Sequence, residues 1–235
     1  MTLEIVLREL EALGNERMKK LYISNGAHEP LFGVATGAMK PLFRKIKKNQ
    51  ALSEELYATG NYDAMYFAGM IADPQAMTEA DFDRWMESAY FPMLSDFVVA
   101  VTLAEASCAQ SVADRWIDSG KELYMSAGWA CYEWLLGWRP DSAFDRDKLK
   151  SMLDRIVNTI YDQPDHVSHV INQFVVAVGV SYLPLHEEAV KAAKAIGEVS
   201  VSAVKGACTL PSALEAIQKA KDKGRLGFKR KAVRC

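Results

Sequence analysis

The sequence predicts an all-α protein made of many short helices. Apolar residues recur three and four positions apart in eight segments, among them LEIVLRELEAL, KLKSMLDRIVNTIY and EEAVKAAKAIG, and this spacing places them on one face of a helix. Only the short stretch VSVSAV alternates as a strand does. Half of the 235 residues are hydrophobic, which is enough for a sizeable core. We therefore expect helices throughout, and no sheet beyond one short pairing near residues 199–204.

Helix boundaries are marked by capping residues and prolines. Thr78 with Asp81, and Ser212 with Glu215, have the three-residue spacing of a capping box. Further start signals and breaks are Asp141, Ser142, Asp165, Pro74, Pro140 and Pro164. The text FVVAVTLAEASCAQSVADRWI, residues 97–117, is predicted to be one continuous helix with Ser95 or Asp96 as its N-cap.

The predicted helices are expected to pack as one continuous array. Segments 121–138 and 166–183 are apolar nearly all round, so each should be enclosed by neighbouring helices. Short connections and the lack of a Gly/Ser-rich linker predict a single domain over residues 1–218, followed by a basic tail at 219–235. Two-helix repeats of the HEAT kind, about 40 residues each, fit this spacing.

Charge is unevenly distributed along the chain. The net charge is −2, but the tail from Lys219 carries +7 and the remainder −9. A second basic cluster, KPLFRKIKKN, has no acid between Glu29 and Glu54. Such runs are either solvated helix surfaces or a footprint for a polyanion. The candidate DNA-contacting residues are Lys40, Arg44, Lys45, Lys47, Lys48, Lys229, Arg230, Lys231 and Arg234.

Other features bear on location and cofactors. The opening MTLEIVLRELEAL mixes acids into its apolar pattern, unlike a signal peptide, and no window approaches 18 consecutive apolar residues. We therefore expect a cytoplasmic protein that does not enter membranes. The four cysteines show no CxxC spacing, which favours free thiols. We expect no metal and no cofactor.

Three motifs lack the context that their chemistry requires. GVATGAMK does not have the spacing of a phosphate-binding loop. His166 and His169 lie three apart at a predicted helix start, a position more typical of surface or capping histidines than of a metal site. Ser95 has no Gly-x-Ser-x-Gly elbow and no histidine nearby in sequence, so a hydrolase triad is not supported.

Asp96 is the only charged residue between Glu87 and Glu105. Burying an isolated carboxylate is costly unless it has a partner or a use. From the residues alone we favour a helix N-cap, in which the carboxylate accepts from free backbone N–H groups, over a catalytic carboxylate. The two roles are compatible.

An ordered series of motifs resembles the AlkD-like DNA alkylation repair family. The motifs are FGVATGAMKPLFRKIKKN, ELYATGNYDAMYFAGMIADP, SDFVVAVTLAE and GRLGFKRKAVRC, and they span nearly the whole chain. The resemblance implies a right-handed superhelix of HEAT-like antiparallel helical pairs whose concave face holds duplex DNA. It also implies removal of N-alkylated, positively charged purines, with Asp96 matching the catalytic aspartate.

Three other positions depart from the family pattern. Where family enzymes place a tryptophan before the aspartate, this chain reads Tyr90, Phe91, Pro92. The helix that carries an arginine in the family matches YMSAGWACY, which has none, and Val180 stands where a later tryptophan is expected. Substitute aromatic groove surface would come from Tyr90, Phe91, Trp129 and Tyr182, although core packing is the simpler role for each.

We therefore expect a DNA-binding, HEAT-like-repeat protein that makes mainly phosphate contacts to duplex or branched DNA and has weak or no base excision. One alternative is an active N-alkylpurine glycosylase that uses the charge of Asp96. Another is a non-enzymatic scaffold whose groove binds a protein.

Overall fold

The computed structural model describes residues 1–199 and 211–233. The chain is 73% helical, and within the described residues the strand-like pairing is limited to an isolated antiparallel bridge between Gly14 and Val34. The all-α prediction is confirmed. The pairing expected near residues 199–204 involves residues 200–204, which lie outside the described ranges.

The chain divides into two compact units, Met1–Cys108 (unit 1) and Ala109–Cys235 (unit 2). Each unit has its own core. The boundary expected between residues 218 and 219 falls inside a helix, Ala213–Asp222, so the basic segment starts as part of the helical array.

Unit 1 is organised around one almost fully buried helix. Its helices are α1 Leu3–Ala12, α2 Glu16–Ser24, α3 Lys40–Ile46, α4 Gln50–Ala58, α5 Tyr62–Ile71, α6 Glu79–Ser88, α7 Pro92–Leu94 and α8 Ala100–Glu105. Eight of the ten residues of α5 are buried, and α1, α3 and α4 pack against it. Helix α6 begins at the predicted capping box: the Thr78 hydroxyl accepts from Asp81 N, and the Asp81 carboxylate accepts from Thr78 N.

Helices α4 and α6 are joined by a buried aromatic pair. The rings of Tyr57 and Trp85 stack at 4.1 Å with 3° between their planes. The Tyr57 hydroxyl donates to the Trp85 carbonyl at 2.8 Å, and the Trp85 indole N–H donates to Glu54 at 3.0 Å. Both polar ends of the pair are therefore satisfied, which burial of such groups requires.

Unit 2 encloses two long apolar helices, as predicted. Its helices are α9 Ala109–Ile117, α10 Glu122–Trp138, α11 Arg146–Thr159, α12 Asp165–Ser181, α13 His186–Ile196 and α14 Ala213–Asp222. Helix α12 packs against α10, α13 and α14, while α10 also packs against α9. Gly179 permits the close approach of α14, because a Cβ at this position would lie 2.6 Å from Ile217 Cδ1. The capping box predicted for Ser212 and Glu215 starts α14.

The long helix predicted over residues 97–117 is wrong. The chain ends α8 at Glu105, Ala106 is extended with ψ of 159°, and α9 begins at Ala109. The sequence has no glycine or proline at this break, and its apolar periodicity continues through residues 106–108. The end of the helix therefore has no signal in the sequence. The division between the two units falls here.

The helices within residues 1–199 and 211–233 can be compared with the length and composition of a membrane span. There, no single helix is both long and apolar enough to cross a membrane. Asp165–Ser181 and Leu183–Ile196 together reach the required length and composition, with a bend of 111° between them.

Candidate nucleic-acid interface

The basic cluster of unit 1 lies on α3 and the two residues that follow it. Its five members, Lys40, Arg44, Lys45, Lys47 and Lys48, are all exposed. Lys48 Nζ lies 3.4 Å from Asp73, and both side chains are about half exposed, so this ion pair is weak. Among the described residues, no carboxylate lies within 4.0 Å of the other four cations. They are therefore available to an external anion.

A buried carboxylate fixes the loop that leads into α3. Asp63, on α5, is fully buried and accepts hydrogen bonds from the backbone N–H groups of Phe32, Gly33 and Val34 at 2.6, 2.9 and 2.8 Å. Hydrogen bonds to an ionised acceptor are about twice as strong as neutral ones. This loop, 32–34, precedes the short 3₁₀ turn Thr36–Met39 and then α3. Asp63 therefore fixes the approach to the basic helix.

The glycine of this loop is required by both space and conformation. Gly33 has φ of 77°, and a Cβ there would lie 2.5 Å from Lys19 N and 2.6 Å from Asn15 O. Any other residue would clash with the backbone of α2 and strain the loop. Asp63 was not among the predicted site residues, although NYDAMY is part of the motif series, because its partners lie 29 to 31 residues away.

Lys47 has an unusual backbone conformation at the end of the basic cluster. Its φ is 59° and its ψ is −152°, and it is the one non-glycine residue with positive φ in the described chain. This region of backbone space is populated almost entirely by glycine, and a side chain there costs about 1–3 kcal/mol. The strain accompanies an exposed lysine without a carboxylate partner in the described residues.

We define the C-terminal segment as the described residues 223–233. Two of its basic residues, Lys229 and Arg230, make contacts within the protein. Lys229 Nζ donates to the carbonyl of Leu136 at 2.8 Å and lies 2.9 Å from Asp141. Arg230 N donates to the Gly137 carbonyl at 2.7 Å, which satisfies another carbonyl at the end of α10. These two hydrogen bonds satisfy carbonyl groups in the last turn of α10, which have no partner within the helix.

The four candidate contact residues near the C-terminus differ in their surroundings. Lys229 is mostly buried by its partners, with a side chain 22% exposed. Arg230 is exposed but its guanidinium lies 5.0 Å from the ring of Trp134. Lys231 is exposed, and Arg234 lies outside the described residues. Lys229 thus differs from the other candidate residues, because its ammonium group already has two internal partners, Leu136 O and Asp141. Its contact with DNA stays a prediction.

Asp96 is not a helix N-cap, and that prediction is wrong. The helix begins earlier, with Phe91 extended as its N-cap and Pro92 in its first turn. Asp96 lies within a π-helical turn, Ser95–Val99, between α7 and α8. Its carboxylate is 3% exposed and accepts from the Ser95 hydroxyl at 2.8 Å. π-turns inside helices occur frequently at functional sites.

The candidate groove aromatics are mostly core residues. Phe91, Trp129 and Tyr182 are each no more than 4% exposed. Tyr90 is partly exposed and stacks on His28 with ring centroids 3.6 Å apart, and burial raises its pKa. Phe97, which directly follows Asp96 and is 48% exposed, was not among the predicted aromatics. A single exposed apolar residue in a largely buried segment would have been hard to recognise from periodicity.

The positions that depart from the family pattern have structural roles. Pro92 occupies the first turn of α7. Residues 124–132 lie in the apolar part of α10, and Val180 lies at the end of α12, where its carbonyl accepts from Gly227 N at 2.7 Å. The His166 and His169 rings are 6.4 Å apart, and within the described residues no group of three His, Cys, Asp or Glu side chains is arranged to hold a metal ion.

The packed helices and the exposed basic helix define an all-α, helical-repeat protein with a surface suited to anions. The model of the family described as "DNA alkylation repair enzyme" matches residues 6–217, and the chain belongs to this family. The resemblance expected from the motif series is confirmed.

Two relatives and one solved structure are similar over nearly the whole chain. Uncharacterized protein Lin0241 of Listeria innocua and uncharacterized protein Lmo0209 of Listeria monocytogenes are each 28% identical over 221 residues, covering 92% of this chain and 95% of theirs. A solved structure is 62% identical, covers 100% of both chains and has a TM-score of 0.94. It is described as "a new family of proteins related to the HEAT-like repeat DNA glycosylases with affinity for branched DNA structures". The HEAT-like fold class is thereby confirmed.

Proposed function

We propose that this protein binds DNA, including branched DNA, mainly through phosphate contacts. The observation that carries the proposal is the basic cluster of unit 1, in which four exposed cations have no carboxylate partner among the described residues and their helix follows a loop fixed by Asp63. Lysine and arginine side chains of this kind neutralise phosphates and release counterions. The affinity of the 62% identical protein for branched DNA supports the same substrate class.

The test is DNA affinity measured by fluorescence anisotropy over a range of salt concentrations. With about four to six phosphates neutralised, log K should fall against log salt with a slope of roughly −4 to −5. The double variant Arg44→Glu, Lys45→Glu should make the slope shallower by about 2 and weaken binding to every DNA sequence about equally.

A matched control carries the same charge change elsewhere. Lys191 and Lys194 are exposed on α13, so Lys191→Glu with Lys194→Glu should leave the slope within experimental error of the wild type. Absence of wild-type binding to duplex and branched DNA at low salt would reject DNA binding and favour the protein-scaffold alternative.

We further propose that excision of alkylated bases is weak or undetectable. A cationic alkylpurine is already a good leaving group, so an enzyme needs mainly an anion near the developing sugar cation and firm positioning of the nucleotide. Asp96 supplies an anion, but it is 3% exposed and bonded to Ser95. Residues 124–132 contain no arginine, and Pro92 and Val180 replace the expected aromatic surfaces. One lost contact of this type costs about 2–4 kcal/mol, or about 30- to 1000-fold in rate.

A second candidate function, active alkylpurine excision, is favoured by one observation. Asp96 lies in a π-turn beside the exposed ring of Phe97, which offers an apolar surface next to a carboxylate. Single-turnover release of 3-methyladenine and 7-methylguanine from methylated duplex DNA separates the two proposals. We expect background release by the wild type and by Asp96→Asn alike; fast release that Asp96→Asn abolishes would establish the glycosylase.

A further inference from the structure

Unit 2 contains a cavity of about 270 Å³ between the ends of its central helices and the C-terminal segment. Small residues of α10, α12 and α14 form its walls, among them Gly137, Ala177, Val180 and Ala220. Arg225, Phe228 and Arg230 of the C-terminal segment line it as well. The volume lies just below the usual range for small-molecule sites, about 300–1,000 Å³. The space is thus suited to one ring-sized group.

Two arginines, Arg225 and Arg230, line this cavity. Arg230 is held by its backbone bond to Gly137 and by stacking at 5.0 Å on Trp134, which leaves the edge of the guanidinium available for hydrogen bonds. Arg225 is exposed. Within the described residues, neither arginine has a carboxylate inside 4.0 Å. One carboxylate, Glu133, also lines the cavity, so the lining keeps a net positive charge.

An exposed aromatic ring accompanies these arginines. Phe228 is 64% exposed, although its backbone neighbours are fixed. The preceding Gly227 donates to the Val180 carbonyl at 2.7 Å, and a Cβ on Gly227 would lie 2.9 Å from Leu183, so its backbone packs closely on that side chain. Because the backbone on either side of Phe228 is already held, its ring provides a stacking surface with little further cost in backbone ordering.

We propose that this cavity and the Phe228 ring form a site for one unpaired nucleotide, with the base stacked on Phe228 and the adjacent phosphate bound by Arg225 and Arg230. Aromatic stacking combined with cationic phosphate contacts is the usual chemistry of single-stranded nucleic-acid recognition. Gln173 and Ser181, which also line the cavity, offer hydrogen bonds to the edge of a base. The charge of the two arginines favours a nucleotide over an apolar peptide side chain.

This inference rests on the proposed DNA binding and deepens it, because branched DNA forms such as flaps and forks contain unpaired nucleotides. The probes are a duplex with one bulged thymidine, the same duplex with an abasic residue in the bulge, and the continuous duplex. Their affinities are measured by fluorescence anisotropy for the wild type, Phe228→Ala and Arg225→Gln. Tyr161→Ala is the matched control, since Tyr161 is an aromatic residue of unit 2 that is 66% exposed and does not line the cavity.

We expect the wild type to prefer the bulged thymidine over the abasic bulge by about 5- to 150-fold, the value of one base stacked on an aromatic ring. Phe228→Ala should abolish that preference and leave continuous-duplex binding within about twofold, while Arg225→Gln should weaken both bulged probes. Tyr161→Ala should behave as the wild type.

Two contrary results have different meanings. Equal wild-type affinity for thymidine and abasic bulges, or a preference that survives Phe228→Ala, would overturn the nucleotide site while leaving DNA binding intact. Failure of the wild type to bind any of the three probes at low salt would reject the proposed function itself. Because Phe228 is largely exposed, its substitution should not prevent folding, and a circular dichroism melt verifies this.

Discussion

The two basic segments of this chain have similar composition but different structural roles. On α3 and the residues after it, four of five cations have no carboxylate partner among the described residues and remain exposed. In the C-terminal segment, Lys229 instead satisfies the carbonyl of Leu136 and contacts Asp141. The difference shows that a run of lysines and arginines is not by itself a nucleic-acid footprint, since helix ends also need cations and donors.

The two segments are also held in place by different means. The loop before α3 is fixed by one buried carboxylate, Asp63, that accepts three backbone hydrogen bonds. The C-terminal segment is held by separate bonds to the ends of two helices, from Gly227 N to Val180 O and from Arg230 N to Gly137 O. Loss of Asp63 should therefore be much more damaging than loss of any single contact in the C-terminal segment.

The largest expected effect is that of Asp63→Ala. The substitution leaves three backbone donors without their acceptor in a buried site, where each unsatisfied group costs about 1–3 kcal/mol. We expect a loss of about 3–5 kcal/mol in the free energy of unfolding, measured by urea denaturation. Asp63→Asn retains one acceptor oxygen and should lose less. A loss below about 1 kcal/mol for the alanine variant would show that the loop does not depend on this carboxylate.

A smaller effect is expected for Lys229→Met, which keeps most of the apolar stem and removes the ammonium group. The Leu136 carbonyl and Asp141 lose a charged partner, so we expect a loss of about 1–3 kcal/mol in unfolding free energy. DNA affinity should change by less than about twofold, because the ammonium group is already engaged.

The double variant Arg44→Glu, Lys45→Glu should show the opposite pattern, with reduced affinity and nearly unchanged stability. These two sets of measurements test the comparison directly. If Lys229→Met lost as much affinity as the double variant, the C-terminal lysine would be a DNA contact despite its internal partners.

The sequence could predict the features of this fold that depend on local signals. The capping boxes at Thr78 and Ser212, and the burial of α10 and α12, follow from spacing within one or two helical turns. The break at residues 106–108 has no glycine or proline to mark it. Asp96 was assigned to a cap because the helix was expected to start after it, whereas Pro92 already marks the first turn.

The candidate site was harder to predict because its decisive contacts are long-range. Asp63 bonds to residues 29 to 31 positions away, and Lys229 to a carbonyl 93 positions away. No periodicity or motif spacing reports on such pairs. The basic residues of unit 1 were identified correctly as exposed, since an amphipathic helix with one apolar stripe leaves its charges in solvent. Their binding to DNA remains a prediction.

The smallest expected effect concerns the strained lysine in unit 1. Lys47 has φ of 59° and ψ of −152°, a conformation that costs about 1–3 kcal/mol for a side chain and little for glycine. Lys47→Gly should therefore raise the unfolding free energy by about 1 kcal/mol, after the greater chain entropy of glycine in the unfolded state offsets part of the gain. If the lysine contacts a phosphate, the same variant should make the salt slope of DNA binding shallower by about 1.

Lys47→Ala separates the two effects, because alanine removes the charge but keeps the strained backbone. It should alter the salt slope as Lys47→Gly does, without the gain in stability. A stabilised glycine variant with an unchanged slope would mean that the strain has no connection with DNA. Suppose instead that both variants show the shallower slope and only the glycine variant is more stable. The protein then keeps a DNA-contacting cation in unit 1 at the cost of an unfavourable backbone conformation. Lys229 in unit 2 is the opposite case, because its cation is expected to contribute to stability.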